Sequence, residues 1–235
     1  MPLLGTLGSN AVRSISSPGV FSGVTTRINL SSTTTPDTDD IGFTLVEADG
    51  SFQGSPAYYY VNSRSSAANR LRYRMNGNVL NNYANVLITF EYFYDSADSF
   101  ATTLSTEHHH FRSNRGVVGG QSGRLLGRAA DSASSNWDNS GGFTWTNTWH
   151  RVRVYHNRTS NTGTFTIAGY EAMNVPNMGS ASSGPNYSAS SELCFAQFYD
   201  SAAGDNGISM RIAAVEVNAW DGAESAAPAF VGRFT

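Results

Sequence analysis

At 235 residues the chain is long enough for one large β-sandwich with its own core and too short to require two domains. Charged residues make up only 14% of it, the formal net charge is -3, and all 15 basic residues are arginine. The lack of lysine excludes Schiff-base chemistry, a lysine general base and a P-loop, and the slight negative charge excludes a nucleic-acid binder that works by bulk electrostatics.

Residues 1–36 are rich in Gly, Ser and Thr with scattered apolar residues. They read either as an arm that lies across another surface or as a first edge strand packed on its own domain. The sandwich domain is expected over 37–235. No basic segment followed by an apolar stretch opens the chain, so no secretory signal is read, and no apolar run has the length of a bilayer span.

The run from Asp37 through Asp39, Asp40 and Gly42 starts like a calcium loop, but Ile41 and Ala48 stand where oxygen ligands belong. Alternation over 42–47 predicts a strand that ends at the Asp49-Gly50 turn. Glu47 and Asp49 also begin a glucanase-like carboxylate pattern, yet Phe52 replaces the second glutamate that two-carboxylate hydrolysis needs. No catalytic residue is assigned.

Strands are predicted over 57–62, over 71–75 into a tight turn at Asn76-Gly77, and over 86–94, the most apolar and therefore central one. Shorter strands are expected at 108–112 and 124–128, separated by the glycine-rich 116–123. His108, His109 and His110 form a polar run. On a strand His108 and His110 share a face suited to a metal or to a base beside Arg112, but no second ligand pair completes a set, and a surface or inter-subunit cluster is the preferred reading. A polar loop at 132–142 carries Trp137, and short helices are expected near Ala67 or after Asp221.

From Trp149 the sequence reads Trp-His-Arg-Val-Arg-Val-Tyr, then a turn rich in Asn, Thr and Ser, then Thr-Phe-Thr-Ile at 164–167. The period of two predicts a long β-hairpin. A second loop over 174–191 carries Tyr187 and leads to a strand at 192–199. This contains Cys194, the one cysteine, read as a small buried hydrophobe with no disulfide partner. The last strand is expected at 208–220, and Trp145 and Trp220 read as core.

Three of these pieces, 149–155 with 164–167, 193–199 and 207–220, resemble in order the laminin-G-like and concanavalin-type jelly-roll superfamily. Ala168-Gly169 stands where an aspartate–glycine turn often follows the hairpin. The resemblance covers 143–225 and implies an all-β, antiparallel jelly-roll sandwich of the kind found in phage virion proteins and lectins. The superfamily also includes carbohydrate-binding modules, β-glucanases and polysaccharide lyases. Some laminin-G-like domains bind calcium in the loop where this chain has Asp200, Asp205 and Asn206, so calcium is the one cofactor the resemblance brings in.

Sugar contact would need aromatic platforms flanked by polar groups, and Trp137 and Tyr187 answer that description. Trp149, Arg151, Arg153 and Tyr155 share one strand face, a basic-aromatic strip for an acidic glycan or a protein partner. The competing reading places these aromatics at the ends of the sandwich or in a protomer interface. The preferred expectation is a structural component of a phage-like virion, a capsid decoration or tail or fibre protein. It would be made in the host cytoplasm, displayed on the virion surface and assembled with other virion proteins and itself, as a homo-oligomer with a trimer among the options. Neither nucleic acid nor membrane is an expected partner. The alternative is a carbohydrate-binding module or lectin. A polysaccharide lyase using His108, His110, Arg112 and Tyr155 stands further off.

Overall fold

The computed structural model describes residues 21–54, 57–62, 71–94, 108–113, 116–121, 124–129, 147–167, 173–175, 185–198 and 209–232. In chain order the strands are β1 (Gly23–Asn29), β2 (Thr38–Asp39), β3 (Phe43–Ala48), β4 (Gly50–Gln53), β5 (Tyr58–Asn62), β6 (Leu71–Met75), β7 (Asn85–Tyr94) and β8 (His108–Ser113). They continue as β9 (Gly116–Gln121), β10 (Arg124–Ala129), β11 (Trp149–Asn157), β12 (Thr162–Ile167), β13 (Met173–Val175), β14 (Ser191–Phe198) and β15 (Ser209–Trp220). A single helical turn, α1 (Gly77–Leu80), follows β6.

Among the described residues these strands form two antiparallel sheets. The nine-stranded sheet runs β13-β12-β11-β7-β15-β1-β2, with β5 beside the start of β15 and β4 beside β5; the six-stranded sheet runs β10-β9-β8-β14-β6-β3. The result is the expected all-β jelly-roll-like sandwich. As predicted, β7 is central, paired along its length with β11 on one side and β15 on the other.

Alternation decides which residues meet between the sheets. Val86, Ile88, Phe90 and Tyr92 of β7 join Val152, Val154, Val215 and Val217 from its neighbours, and the six-stranded sheet answers with Leu71, Tyr73, Met75, Leu193 and Phe195. Phe90 and Phe195 meet edge-on across the sandwich at 5.4 Å. Each such side chain contributes about 1.5–3 kcal/mol by leaving water, which is ample to hold the two layers together.

Three departures from the sequence reading have local causes. Asn76-Gly77 opens α1 instead of a tight hairpin, because the Asn76 side chain accepts from the Asn78 N–H and caps the turn. A Cβ on Gly77 would stand 2.0 Å from the Ser188 carbonyl oxygen, so only glycine admits the loop that passes there. The stretch taken as a separator after Arg112 contains β9, which pairs with both β8 and β10. Within the first 36 residues, Gly23–Asn29 is a strand of the sandwich's own sheet, matched to β15 over seven positions from Gly23↔Trp220 to Asn29↔Ala214. This strand is packed on the sandwich itself, with the two-residue β2 outside it, and residues 1–20 lie outside the described residues. Of the two expected helices, Ala67 also lies outside them, and the segment after Asp221 contains a 3-10 turn at Glu224–Ala226.

Tyr73 gives the core a handle on pH. Its hydroxyl donates to the Thr34 carbonyl at 2.8 Å, and burial, with a smaller contribution from Tyr59, raises its pKa above the ordinary 10.0. The folded state therefore favours the neutral phenol. That contribution is full below the unfolded-chain value and is lost as pH rises from there towards the folded-state value. Tyr73→Phe is expected to cost about 1 kcal/mol at neutral pH and to make the fall of stability above pH ~10 shallower. Urea titrations at pH 7 and in the alkaline range check both parts.

Candidate functional site

The outward face of the nine-stranded sheet concentrates the polar and aromatic groups. Because β11, β7, β15 and β1 lie side by side, their register aligns outward residues in rows across the sheet. One row is Tyr155–Leu87–Asn218–Thr25, the next Arg153–Thr89–Glu216–Arg27, and the next Arg151–Glu91–Ala214–Asn29. The last is Trp149–Phe93–Arg211, continued on β5 by Tyr60. A bulge in β15 between Ile212 and Ala214 keeps Ile212 and Val215 both in the core. At that bulge β15 changes partner from β5 to β1.

Two carboxylates in these rows have no exposed side-chain surface. Glu91 Oε1 accepts from Arg151 Nε and Nη2 at 3.1 and 2.7 Å, and Glu216 Oε2 accepts from Arg27 Nε at 2.7 Å. Asn218 Nδ2 donates to the other Glu216 oxygen at 2.8 Å. Residues 221–232 fold back across this face and cover them. Trp220 Nε1 donates to the Ala223 carbonyl at 2.9 Å, and Ala227 packs on Leu87, Tyr155 and Trp220. The Phe230 ring lies 4.8 Å from the Arg151 guanidinium carbon, and a Cβ on Gly232 would approach Glu91 Cδ to 2.8 Å.

Beyond the covering segment, the Trp149 row stays partly open. Trp149 is half-buried, with its ring 5.8 Å from Phe93 and 6.1 Å from Tyr58. Arg211 holds its guanidinium 4.5 Å from the Phe93 centroid and 5.3 Å from that of Tyr58. Two of these rings, Phe93 and Tyr58, thus flank one cation and are oriented by cation–π attraction, and Trp149 packs against both.

Beside this row, where β15 exchanges β5 for β1, a cavity of about 320 Å³ opens between the sheet and the covering segment. Arg27, Asn29, Ser31 and Asp37 supply its polar wall, and Ala214 and Val231 are among its apolar lining. Of these residues the sequence singles out Asp37 alone, as the start of a calcium-like loop and not as part of a cavity. The one available signal was Ala213-Ala214, small residues in an otherwise bulky strand.

The residues singled out in the sequence are dispersed by the fold. Trp149, Arg151 and Arg153 do share the outward face. Arg153 is half-buried and has no ion pair among the described residues, whereas Arg151 is engaged by Glu91. Tyr155 is 7% exposed and lies beneath the covering segment, its hydroxyl donating to Asn85 Oδ1 at 2.7 Å. Burial first and Glu224 second raise its pKa, and it is no surface contact.

Tyr187 is likewise corrected. It is 3% exposed and belongs to the core, with its hydroxyl 3.1 Å from His156 Nδ1. The Asn81 amide draws it in by accepting from the Tyr187 N–H and donating to its carbonyl, both at 2.8 Å. Trp220 is buried as expected, under the covering segment on the outward side. Trp137, Trp145, Asp200, Asp205 and Asn206 lie outside the described residues.

His108, His109 and His110 begin β8, between β9 and β14 in the six-stranded sheet and therefore away from the Trp149 row. Among the described residues no group of three or more His, Cys, Asp or Glu is placed to hold a metal. Asp39 and Asp40 serve the fold: Asp39 accepts from the Gly42 and Phe43 N–H groups and Asp40 from that of Thr25. Glu47 pairs with Arg72 on the adjacent strand.

No protein-family model matches the sequence, and no curated protein is significantly similar to it. Solved structures do match. The botulinum neurotoxin serotype C1 binding domain superposes with a TM-score of 0.59 at 16% identity, covering 87% of this chain and 50% of that one. A structure of botulinum neurotoxin type C, whose passage into cells depends on two ganglioside molecules, gives 0.59 at 17%, with the same coverage. The binding domain of neurotoxin DC in complex with rat synaptotagmin II gives 0.57 at 16%, covering 87% of this chain and 49% of that one. What they share with this chain is the fold. The chain spans about half the length of these domains.

Proposed function

We propose that this protein is a glycan-binding module, a lectin-like domain without catalytic activity, and that the open Trp149 row is its contact surface. The observation that carries the reading is the cluster in which Trp149 packs on Phe93 and Tyr58, the two rings that flank Arg211. Sugars present C–H faces to aromatic rings, and a platform fixed in advance binds them without the entropy cost of ordering it. Arg153, on the same face two residues from the buried Arg151–Glu91 pair, supplies a donor for hydroxyl or acidic groups. The likeness to domains that bind gangliosides or a protein receptor supports a recognition role over an enzymatic one.

A glycan array with the whole chain tests this. Binding is expected, and Trp149→Ala is expected to weaken it by about tenfold or more, as loss of one stacked ring does, while the melting temperature moves little. An array without hits, or equal binding by the variant, overturns the reading.

Virion assembly is the second reading. None of the three neighbours described above is a virion protein. Its remaining basis is the apolar residues of 1–20, and light scattering of the chain with and without those residues tests it: a change of molar mass favours assembly.

A further inference from the structure

We propose that the cavity at the β15 bulge is a subsite for one neutral pyranose ring, recognised through a vicinal diol and distinct from the aromatic row beside it. This deepens the glycan-binding reading and rests on it. Three observations favour a built site over a packing defect.

The first is its origin. At the bulge β15 leaves β5 and takes up β1, so the sheet has a seam there, and Ala213 and Ala214 line it with minimal side chains. The covering segment closes the other side through Val231 and Gly232. A volume of about 320 Å³ lies at the small end of the range of ligand sites, about 300–1,000 Å³, and suits a single ring.

The second is the arrangement of donors and acceptors. The Arg27 guanidinium is oriented by its Nε bond to Glu216. Asn29 Oδ1 is occupied by the Ser31 N–H and hydroxyl at 3.2 and 2.6 Å, which fixes the amide and leaves its Nδ2 group as the donor. Asp37 is placed by its N–H bond to the Arg27 carbonyl at 2.9 Å, and its carboxylate accepts. Two fixed donors with one acceptor match adjacent hydroxyls, each of which both gives and takes a proton, and Val231 offers an apolar patch to the ring's C–H face.

The third is charge. Arg27 contributes +1, Glu216 and Asp37 each −1, so the local sum is −1. A carboxylated sugar or a phosphate would meet net repulsion in a partly enclosed site, whereas a neutral ring meets none.

The test is protein-observed NMR on the full chain. Methyl glucoside, methyl galactoside and methyl mannoside are the neutral probes; sialic acid methyl glycoside and inorganic phosphate are the anionic ones. At least one neutral glycoside is expected to shift the Asn29 Nδ2 and Gly232 amide signals saturably. Asn29→Ala and Asp37→Ala, both at exposed positions, should each weaken that binding about tenfold while the rest of the spectrum is unchanged. The anions should leave these signals in place.

Shifts confined to the Trp149 indole signal would overturn the cavity subsite and leave the glycan-binding reading standing. Stronger binding of an anion in the cavity would overturn the neutral class. No shift anywhere, with a blank glycan array, would overturn both.

Discussion

Arg151→Leu is expected to lower the unfolding free energy by about 3–5 kcal/mol, far more than the loss of a half-buried side chain would suggest. The reason lies in what it leaves behind. Glu91 has no exposed side-chain surface, and Arg151 meets one of its oxygens twice, at 3.1 and 2.7 Å. Without the guanidinium that carboxylate stays buried and loses two charge-assisted bonds.

The double variant Arg151→Leu/Glu91→Leu is expected to recover most of the loss, because removing both charges removes the desolvation cost along with the attraction. Denaturant unfolding of the wild type, both singles and the double closes the cycle, and the coupling should exceed about 2 kcal/mol. A single-variant loss below about 1 kcal/mol would mean that the covering segment opens and lets water reach Glu91. The Phe230 ring lies against the Arg151 guanidinium, so the single variant should also loosen the segment that rims the cavity. Faster amide exchange over 227–232 is the expected sign.

Glu91 also shows where sequence reading stops. The neighbourhoods Phe-Glu-Tyr and Val-Glu-Val announce strands with one apolar face, and β7 and β15 follow that period. Alternation says which side chains face away from the core. It does not say whether that side meets water. Here residues 221–232 return across it, so Glu91 and Glu216 are as buried as the valines beside them. The hairpin at β11 and β12 was legible for the same reason that its outward partners were not. Trp149, Arg151 and Arg153 share a strand, whereas Phe93, Arg211 and Tyr58 reach them only through pairing across long stretches of chain.

Tyr187 misled for a different reason. Pro-Asn-Tyr-Ser has the composition of a solvated loop, but the decisive contacts are Asn81, 106 residues away, and the missing Cβ of Gly77. β9 was missed because its Gly-Val-Val-Gly-Gly-Gln sequence has little intrinsic strand preference and is held by strands on both sides. β1 reads in the sequence as either arm or strand because its pairing partner stands at the far end of the chain.

Arg158 carries this point into the second large expectation. It reads as one more polar residue in the hairpin turn, yet its guanidinium fastens three separate segments. Nη1 donates to the carbonyls of Asn81 and Tyr83, at 2.9 and 2.5 Å, after α1. Nε donates to the Pro185 carbonyl at 3.2 Å and Nη2 to Asn186 Oδ1 at 2.7 Å, in the loop that feeds Tyr187 into the core. Its own N–H bonds the Ala84 carbonyl at 2.7 Å. Burial lowers its pKa from the ordinary arginine value, with Tyr187 acting in the opposite sense, and an arginine remains charged through the ordinary pH range.

Arg158→Leu removes these charge-assisted bonds, with a fifth from Nη1 to the Leu80 carbonyl at 3.4 Å, and leaves partly buried carbonyls without a donor, an expected loss of roughly 3 kcal/mol. Arg158→Lys should recover less than half of it, because an ammonium is a point donor and cannot span carbonyls that the planar fork reaches from two sides. Both values come from denaturant unfolding. Exchange of the Tyr187 amide, bonded to Asn81, separates local from global effects: a selective rise in Arg158→Lys would locate the damage at this end of the sandwich. The glycan binding proposed for the Trp149 row, at the opposite end of β11, should then be unaltered. If Arg158→Lys matched the wild type, the fork geometry would be irrelevant and only the charge would matter.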